Sequence, residues 1–251
     1  MRHQSATASP GTCTRRVRVK VNRAGAGSEY ATYMNTDVLL SLQRQPEERV
    51  HRDELLFQIV HQATELWLML ACTEVGEAAR RVRAGDIEAA LPLLTRAELA
   101  VRLITDELDM LRHLSPWDFQ MIRTVLGNGS GFESPGWRQV RQVSGTLESA
   151  FRDALRDRNQ TLAEVYRGSP TQPLYLLAEA LTTWDDRVTS WRIRHYRTVL
   201  RTIGDGVVGT QGTPVRALAR LIDHRFFPDL WRVRTELTRT GPMAEREVWQ
   251  P

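Results

Sequence analysis

The sequence predicts an all-α protein, and three observations carry that prediction. From Asp37 onward, apolar residues recur at spacings of three and four, which places them on one face of an α-helix. Alternating β-branched runs, the mark of half-buried strands, are few. The breaks between periodic segments carry helix-start chemistry (Ser or Asp, then Pro) and helix-stop glycines.

The first long helix is expected over Asp53 to Arg83, with acids near its start and Gly85 just beyond its end. Asp86 can cap a second helix reaching about His113, which Pro92 is expected to kink or interrupt. Ser115-Pro116-Trp117-Asp118 combines a serine cap, proline at the first helical position and a carboxylate three residues after the cap. That helix must stop at Gly127-Asn128-Gly129-Ser130-Gly131. Ser134-Pro135 starts another helix toward Arg158, and a short one covers about Gln160 to Tyr166. After Ser169-Pro170-Thr171-Gln172-Pro173, the stretch Leu174 to Ile203 reads as one long helix. A second glycine-rich loop, 204–212, precedes two short C-terminal helices, and no repeat of solenoid period is visible.

A chain of 251 residues with 41% hydrophobic and 25% charged residues has a globular composition, which excludes a wholly disordered, collagen-like or disulfide-scaffold protein. No uninterrupted apolar run approaches the length of a membrane span, so no membrane partner is expected. Arg15-Arg16 is not followed by an apolar segment of the kind found in secretion signals, and a cytoplasmic protein is expected. The net charge of +4 is unevenly placed: six of the 34 bases fall in residues 1–28, which hold no acid, leaving 28 bases against 30 acids beyond. The basic character therefore belongs to an N-terminal arm, 1–28, expected to be disordered, ahead of a helical domain, 29–251. No nucleic-acid partner is expected. Cys13 and Cys72 cannot make a disulfide framework, and Cys72, inside an apolar helix, reads as a buried thiol.

Chemistry is sparse by motif. There is no Cys-x-x-Cys, His-Glu-x-x-His, Walker or dinucleotide-binding motif, and the paired Glu-x-x-His arrangement of di-iron bundles is not supported. Ser130 does not fit a nucleophile elbow, because Asn128 and Phe132 occupy the glycine positions. His51-Arg52-Asp53-Glu54 can supply metal ligands or simply form a polar first helical turn. His61 lies one turn after Phe57 on the same helix face, suiting either an apolar pocket for a flat substrate or a hydrogen-bonded core position. His195, mid-helix, has the placement of a haem ligand, although a lone histidine is weak evidence for one.

Taken together, three ordered blocks resemble the tryptophan 2,3-dioxygenase family. The first is Tyr30-Ala-Thr-Tyr33-Met34 with His51 to Trp67. The second is Asp118-Phe119 through Arg123, then Gly129 to Ser134 and Trp137-Arg138. The third is Trp191 to His195 with Gly209-Thr210 beyond it. The resemblance implies a helical bundle enclosing haem b, usually homo-oligomeric (a tetramer or dimer), that adds O2 across the indole 2,3 bond of L-tryptophan. It implies His195 as axial iron ligand, His61 over the indole nitrogen, and Phe57 and Phe119 as walls around the ring. Arg123 is expected to pair with the substrate carboxylate, Thr210 to hold the amino-acid backbone, and Ser130 to lie near the haem edge. Tyr30 and Tyr33 are expected to reach a neighbouring subunit's pocket. The loop Gly209-Thr210-Gln211-Gly212-Thr213-Pro214 departs from the Gly/Ser-rich family pattern, and Pro214 stiffens it. A substituted tryptophan is therefore a second candidate substrate, monooxygenation to a 2-oxindole a second outcome, and a non-catalytic haem sensor an alternative role.

Overall fold

A computed structural model describes residues 28–242, so the arm expected over 1–28, with Cys13, lies almost wholly outside the described residues. Its helices are α1 (Glu29–Met34), α2 (Thr36–Leu39), α3 (Glu54–Arg83), α4 (Ile87–Leu111), α5 (Pro116–Leu126), α6 (Pro135–Asp157), α7 (Leu162–Arg167), α8 (Pro173–Ile203), α9 (Ala217–Arg220) and α10 (Pro228–Thr240). Among the described residues there is no β-strand, only an isolated antiparallel bridge between Val208 and Pro214. The all-α expectation holds. Two compact units separate by internal contact, one ending at Arg44 and one beginning at Gln45.

In the smaller unit Ser28 caps α1 by accepting from the Ala31 amide, and Asn35 turns the chain in the left-handed region at φ 52°. In the larger unit, α3 ends with Arg80, Arg81 and Arg83 against the negative end of its dipole, and Gly85 takes φ +80°. Asp86 caps α4 through the Ala89 amide. Pro92 does not interrupt α4, which is continuous from Ile87 to Leu111. Proline forfeits a single backbone bond near the first turns, and the buried stripe Ala90, Leu94, Ala97, Val101 and Ile104 holds the helix together across it. Ser115 and Ser134 cap α5 and α6 from the amides of Asp118 and Trp137. The short helix is α7, starting later than Gln160 because Thr161 and Glu164 close a capping box on each other.

The core forms where α3 packs on α4 and α6, and α4 packs on α8. Leu68, Val75, Leu94, Ile104, Leu147, Leu177, Leu181 and Trp184 are fully buried there, each worth roughly 1.5–3 kcal/mol of apolar transfer. Trp184 donates its indole N–H to Ser144. Cys72 is buried as expected, and burial pushes its thiol up to about 12. Over an 18-residue window the mean hydropathy of α3 reaches 1.3, so by length and composition this helix could cross a membrane, which no uninterrupted apolar run indicates. One side of it is core. The other leaves Ile59, Leu66, Met69 and Leu70 exposed.

Buried Asp185 on α8 anchors the C-terminal segment. Its carboxylate accepts from the amides of Phe226 at 3.1 Å and Phe227 at 3.5 Å and from the Trp231 indole at 2.8 Å.

Candidate active site

A cavity of about 430 Å³ opens inside the larger unit, within the roughly 300–1,000 Å³ typical of small-molecule sites. Its lining draws on α3, α4, α5, α6, α8 and both glycine-rich loops. Phe57, His61, Phe119, Arg123, Ser130, His195 and Thr210 all line it, although they are spread from residue 57 to residue 210.

Phe57 and His61, one turn apart on α3, place their rings 4.1 Å apart, and Phe119 stands 5.7 Å from Phe57. His61 Nδ1 lies 2.7 Å from the Phe57 carbonyl oxygen. A carbonyl can only accept, so Nδ1 carries the proton and the neutral ring keeps Nε2 as an acceptor. The two readings of His61 therefore merge: the ring has its hydrogen bond and still lines the cavity. Burial lowers its pKa, against weaker opposing effects of the Phe57 hydrogen bond and the Glu65 charge. The ring is enclosed by protein yet reached by solvent through the cavity.

His195 is held more firmly neutral. Burial first, and the proximity of His61 second, bring it down to about 4. Its imidazole stacks on Trp191, one turn earlier on α8, with centroids 4.7 Å apart and planes 7° from parallel, and Trp191 meets Trp137 of α6 at 4.0 Å. The start of α6 is fixed from α3: Glu65 accepts from the Ser134 hydroxyl and, at 2.9 Å, from the Gly136 amide. Gly136 is required there, since a Cβ would fall 2.7 Å from Leu68 Cδ1 and 2.8 Å from Glu65 Oε2. The chain Glu65, Gly136, Trp137, Trp191, His195 thus ties the α3 side of the cavity to the α8 histidine.

Arg123 donates to Gln120 Oε1 and to the Val208 carbonyl, each at 3.2 Å. The Thr210 hydroxyl donates to the Gly129 carbonyl. The second glycine loop is closed on itself as well, with the Gly209 amide 2.9 Å from the Thr213 carbonyl and the Val215 amide 3.2 Å from the Val207 carbonyl. Ser130 caps the 3-10 turn Gly131–Glu133 in a reciprocal box with Glu133.

Other expected residues lie elsewhere. Tyr30 and Tyr33 are on α1 in the smaller unit, 67% and 82% exposed. His51 and Asp53 converge with Asp118 of α5, with His51 Nε2 3.7 Å from Asp118 Oδ1, as three groups that could hold a cation. Sequence reasoning overlooked the Trp191 stack, for which the i, i+4 spacing to His195 was the available signal. It also overlooked Arg141, Arg192 and His224, which line the cavity. Burial, then nearby Arg225 and Arg141, lower Arg192 against the pull of Asp185; burial, then Arg192, lower His224. The guanidiniums and the His224 imidazole crowd one another.

An all-helical body that gathers two histidines, aromatic walls and a guanidinium in one cavity is built as a small-molecule site. The chain belongs to the tryptophan 2,3-dioxygenase family. The family profile described as "Tryptophan 2,3-dioxygenase" matches residues 16–162. A tryptophan 2,3-dioxygenase of Caulobacter vibrioides is 33% identical over 83% of this chain and 98% of its own length. Those of Myxococcus xanthus and Rhodococcus jostii are 30% and 32% identical, over 85% and 84% of this chain and 91% and 92% of theirs.

Proposed function

We propose that this chain is a haem-dependent oxygenase that adds both atoms of O2 across the indole 2,3 bond of L-tryptophan or a substituted tryptophan, giving an N-formylkynurenine-type product. The observation that carries the reading is the convergence of His61, His195, Phe57, Phe119 and Arg123 on one cavity.

The donor chemistry fits haem b. His195 is neutral and neither ring nitrogen has a hydrogen-bond partner among the described residues, leaving a lone pair that would hold the haem iron. Arg141, Arg192 and His224 suit the two propionates, and the Trp191 indole N–H, buried without a partner among the described residues, is a further donor facing that need. Bound ferrous haem supplies the site at which dioxygen is taken up. The protein's residues do the rest. Phe57 and Phe119 wall the indole and exclude water. His61 Nε2 accepts the indole N–H, orienting the ring and standing ready to take that proton. Arg123 offers a planar fork for the carboxylate, and Thr210 steadies the amino-acid backbone.

The exposed apolar side of α3 supports a homo-oligomer that covers Ile59, Leu66, Met69 and Leu70, with Tyr30 and Tyr33 reaching a neighbouring subunit's cavity. Native mass spectrometry checks the assembly, and a purely monomeric protein removes it.

Product mass spectrometry under labelled dioxygen tests the reaction. Two labelled atoms establish ring cleavage. One labelled atom selects the second reading, a 2-oxindole from a substituted tryptophan, in which an external two-electron donor would reduce the other oxygen atom to water. Unlabelled product, or none, rejects the oxygenase.

A further inference from the structure

We propose that Gln211 is a specificity-determining residue that reads the ammonium group of the amino-acid substrate through its side-chain carbonyl oxygen. This deepens the amino-acid reading of the cavity and rests on it.

Three observations lead there. First, the backbone on both sides of Gln211 is already fixed. Thr210 is tied to Gly129, the Gly212 amide donates to the Gly209 carbonyl at 3.0 Å, and the Val208–Pro214 bridge closes the loop. A side chain on such a loop has a defined starting point and little backbone entropy left to lose on binding. Second, Gln211 lines the cavity with Arg123 and Thr210, is exposed, and has no hydrogen-bond partner among the described residues. It is the one side-chain amide in the described lining.

Third, the described lining offers a cation no free carboxylate of the protein's own. Its one described carboxylate, Glu65, already serves the Ser134 hydroxyl and the Gly136 amide, whereas Arg123, Arg141 and Arg192 are all cationic. With the propionates taken up by Arg141, Arg192 and His224, an ammonium entering this cavity is left to neutral acceptors among the protein's own groups. The Gln211 amide carbonyl, adjacent in sequence to Thr210, supplies one in the same lining as the guanidinium that takes the carboxylate. Two charges of one substrate are then sorted by two residues of one lining, a cation for the anion and an amide for the cation.

The experiment titrates full-length, haem-loaded protein by calorimetry with L-tryptophan and with indole-3-propionate, which keeps the carboxylate and lacks the ammonium. Gln211→Ala is expected to weaken L-tryptophan about tenfold and leave indole-3-propionate unchanged. Gln211→Glu is expected to bind L-tryptophan at least as well as the native protein and indole-3-propionate less well. Equal losses for both ligands in Gln211→Ala, or no loss for L-tryptophan, overturn the assignment while leaving the amino-acid site standing. Native protein that binds neither ligand sinks the amino-acid reading itself.

Discussion

Arg123, on α5, donates to the carbonyl of Val208, 85 residues further along the chain, at 3.2 Å. The side chain proposed to clamp a substrate carboxylate is thereby engaged with the loop that carries Thr210. A ligand carboxylate must compete with that carbonyl, and a charged acceptor wins because charge-assisted hydrogen bonds are roughly twice as strong as neutral ones.

Arg123→Ala is expected to raise KM for the amino acid about 30- to 100-fold, corresponding to roughly 2–3 kcal/mol for a hydrogen-bonded charge. Steady-state kinetics check this. Tryptamine, which lacks the carboxylate, should be bound equally by both proteins, and unchanged L-tryptophan kinetics would refute the clamp.

Thr210→Val removes the hydroxyl bond to Gly129 at nearly constant volume. The loop should loosen, with an increase in KM of up to about tenfold, from the ~0.5–1.5 kcal/mol of one neutral hydrogen bond. Hydrogen exchange over 204–214 should quicken, and an unchanged exchange rate there contradicts the tether.

Gly136→Ala places a methyl group 2.7 Å from Leu68 Cδ1 and against Glu65, parting α6 from α3. Overpacking of this kind costs about 1–3 kcal/mol. Thermal unfolding should show a lower Tm, with the haem absorption also shifted because Trp137 carries the stack to His195. A wild-type Tm and spectrum would show that the close approach is not needed.

Asp185→Ala leaves two backbone amides and the Trp231 indole without their acceptor. Unsatisfied buried donors cost about 1–3 kcal/mol each, so a loss of roughly 3 kcal/mol or more is expected in denaturant unfolding. Quenching of Trp231 fluorescence should detect release of α10 before global unfolding.

In the metal-free protein His195 stays neutral down to about pH 4, whereas in the unfolded chain it protonates near 6.5. Between those values the unfolded state binds more protons, so stability rises with pH across the window and falls on acidification. The full effect is on the order of 3 kcal/mol near pH 4. His195→Phe should flatten this slope in urea titrations from pH 4 to 7, and an identical slope in the two proteins excludes His195 as its source.

The helices were legible because their signals are local. Ser115-Pro116 and Ser134-Pro135 state where α5 and α6 begin, and the caps formed as the residues foretold. Pro92 misled because its effect depends on the packing around it. The site was legible only through three separated blocks matched to a family. Periodicity alone left His61 between core and pocket, since both uses put a histidine on the same helix face.

By itself the sequence determined the all-α architecture, the starts of α5 and α6 and the candidates His61, Arg123, His195 and Thr210, because these follow from neighbours within a turn or from the resemblance. Tertiary structure decided which residues share a cavity: that Glu65 holds the start of α6, that Trp191 lies flat on His195, that Arg123 meets Val208, and that Gln211 lines the same cavity. Those relations join groups tens of residues apart, and only the mutual burial of α3, α4, α6 and α8 brings them within reach of one another.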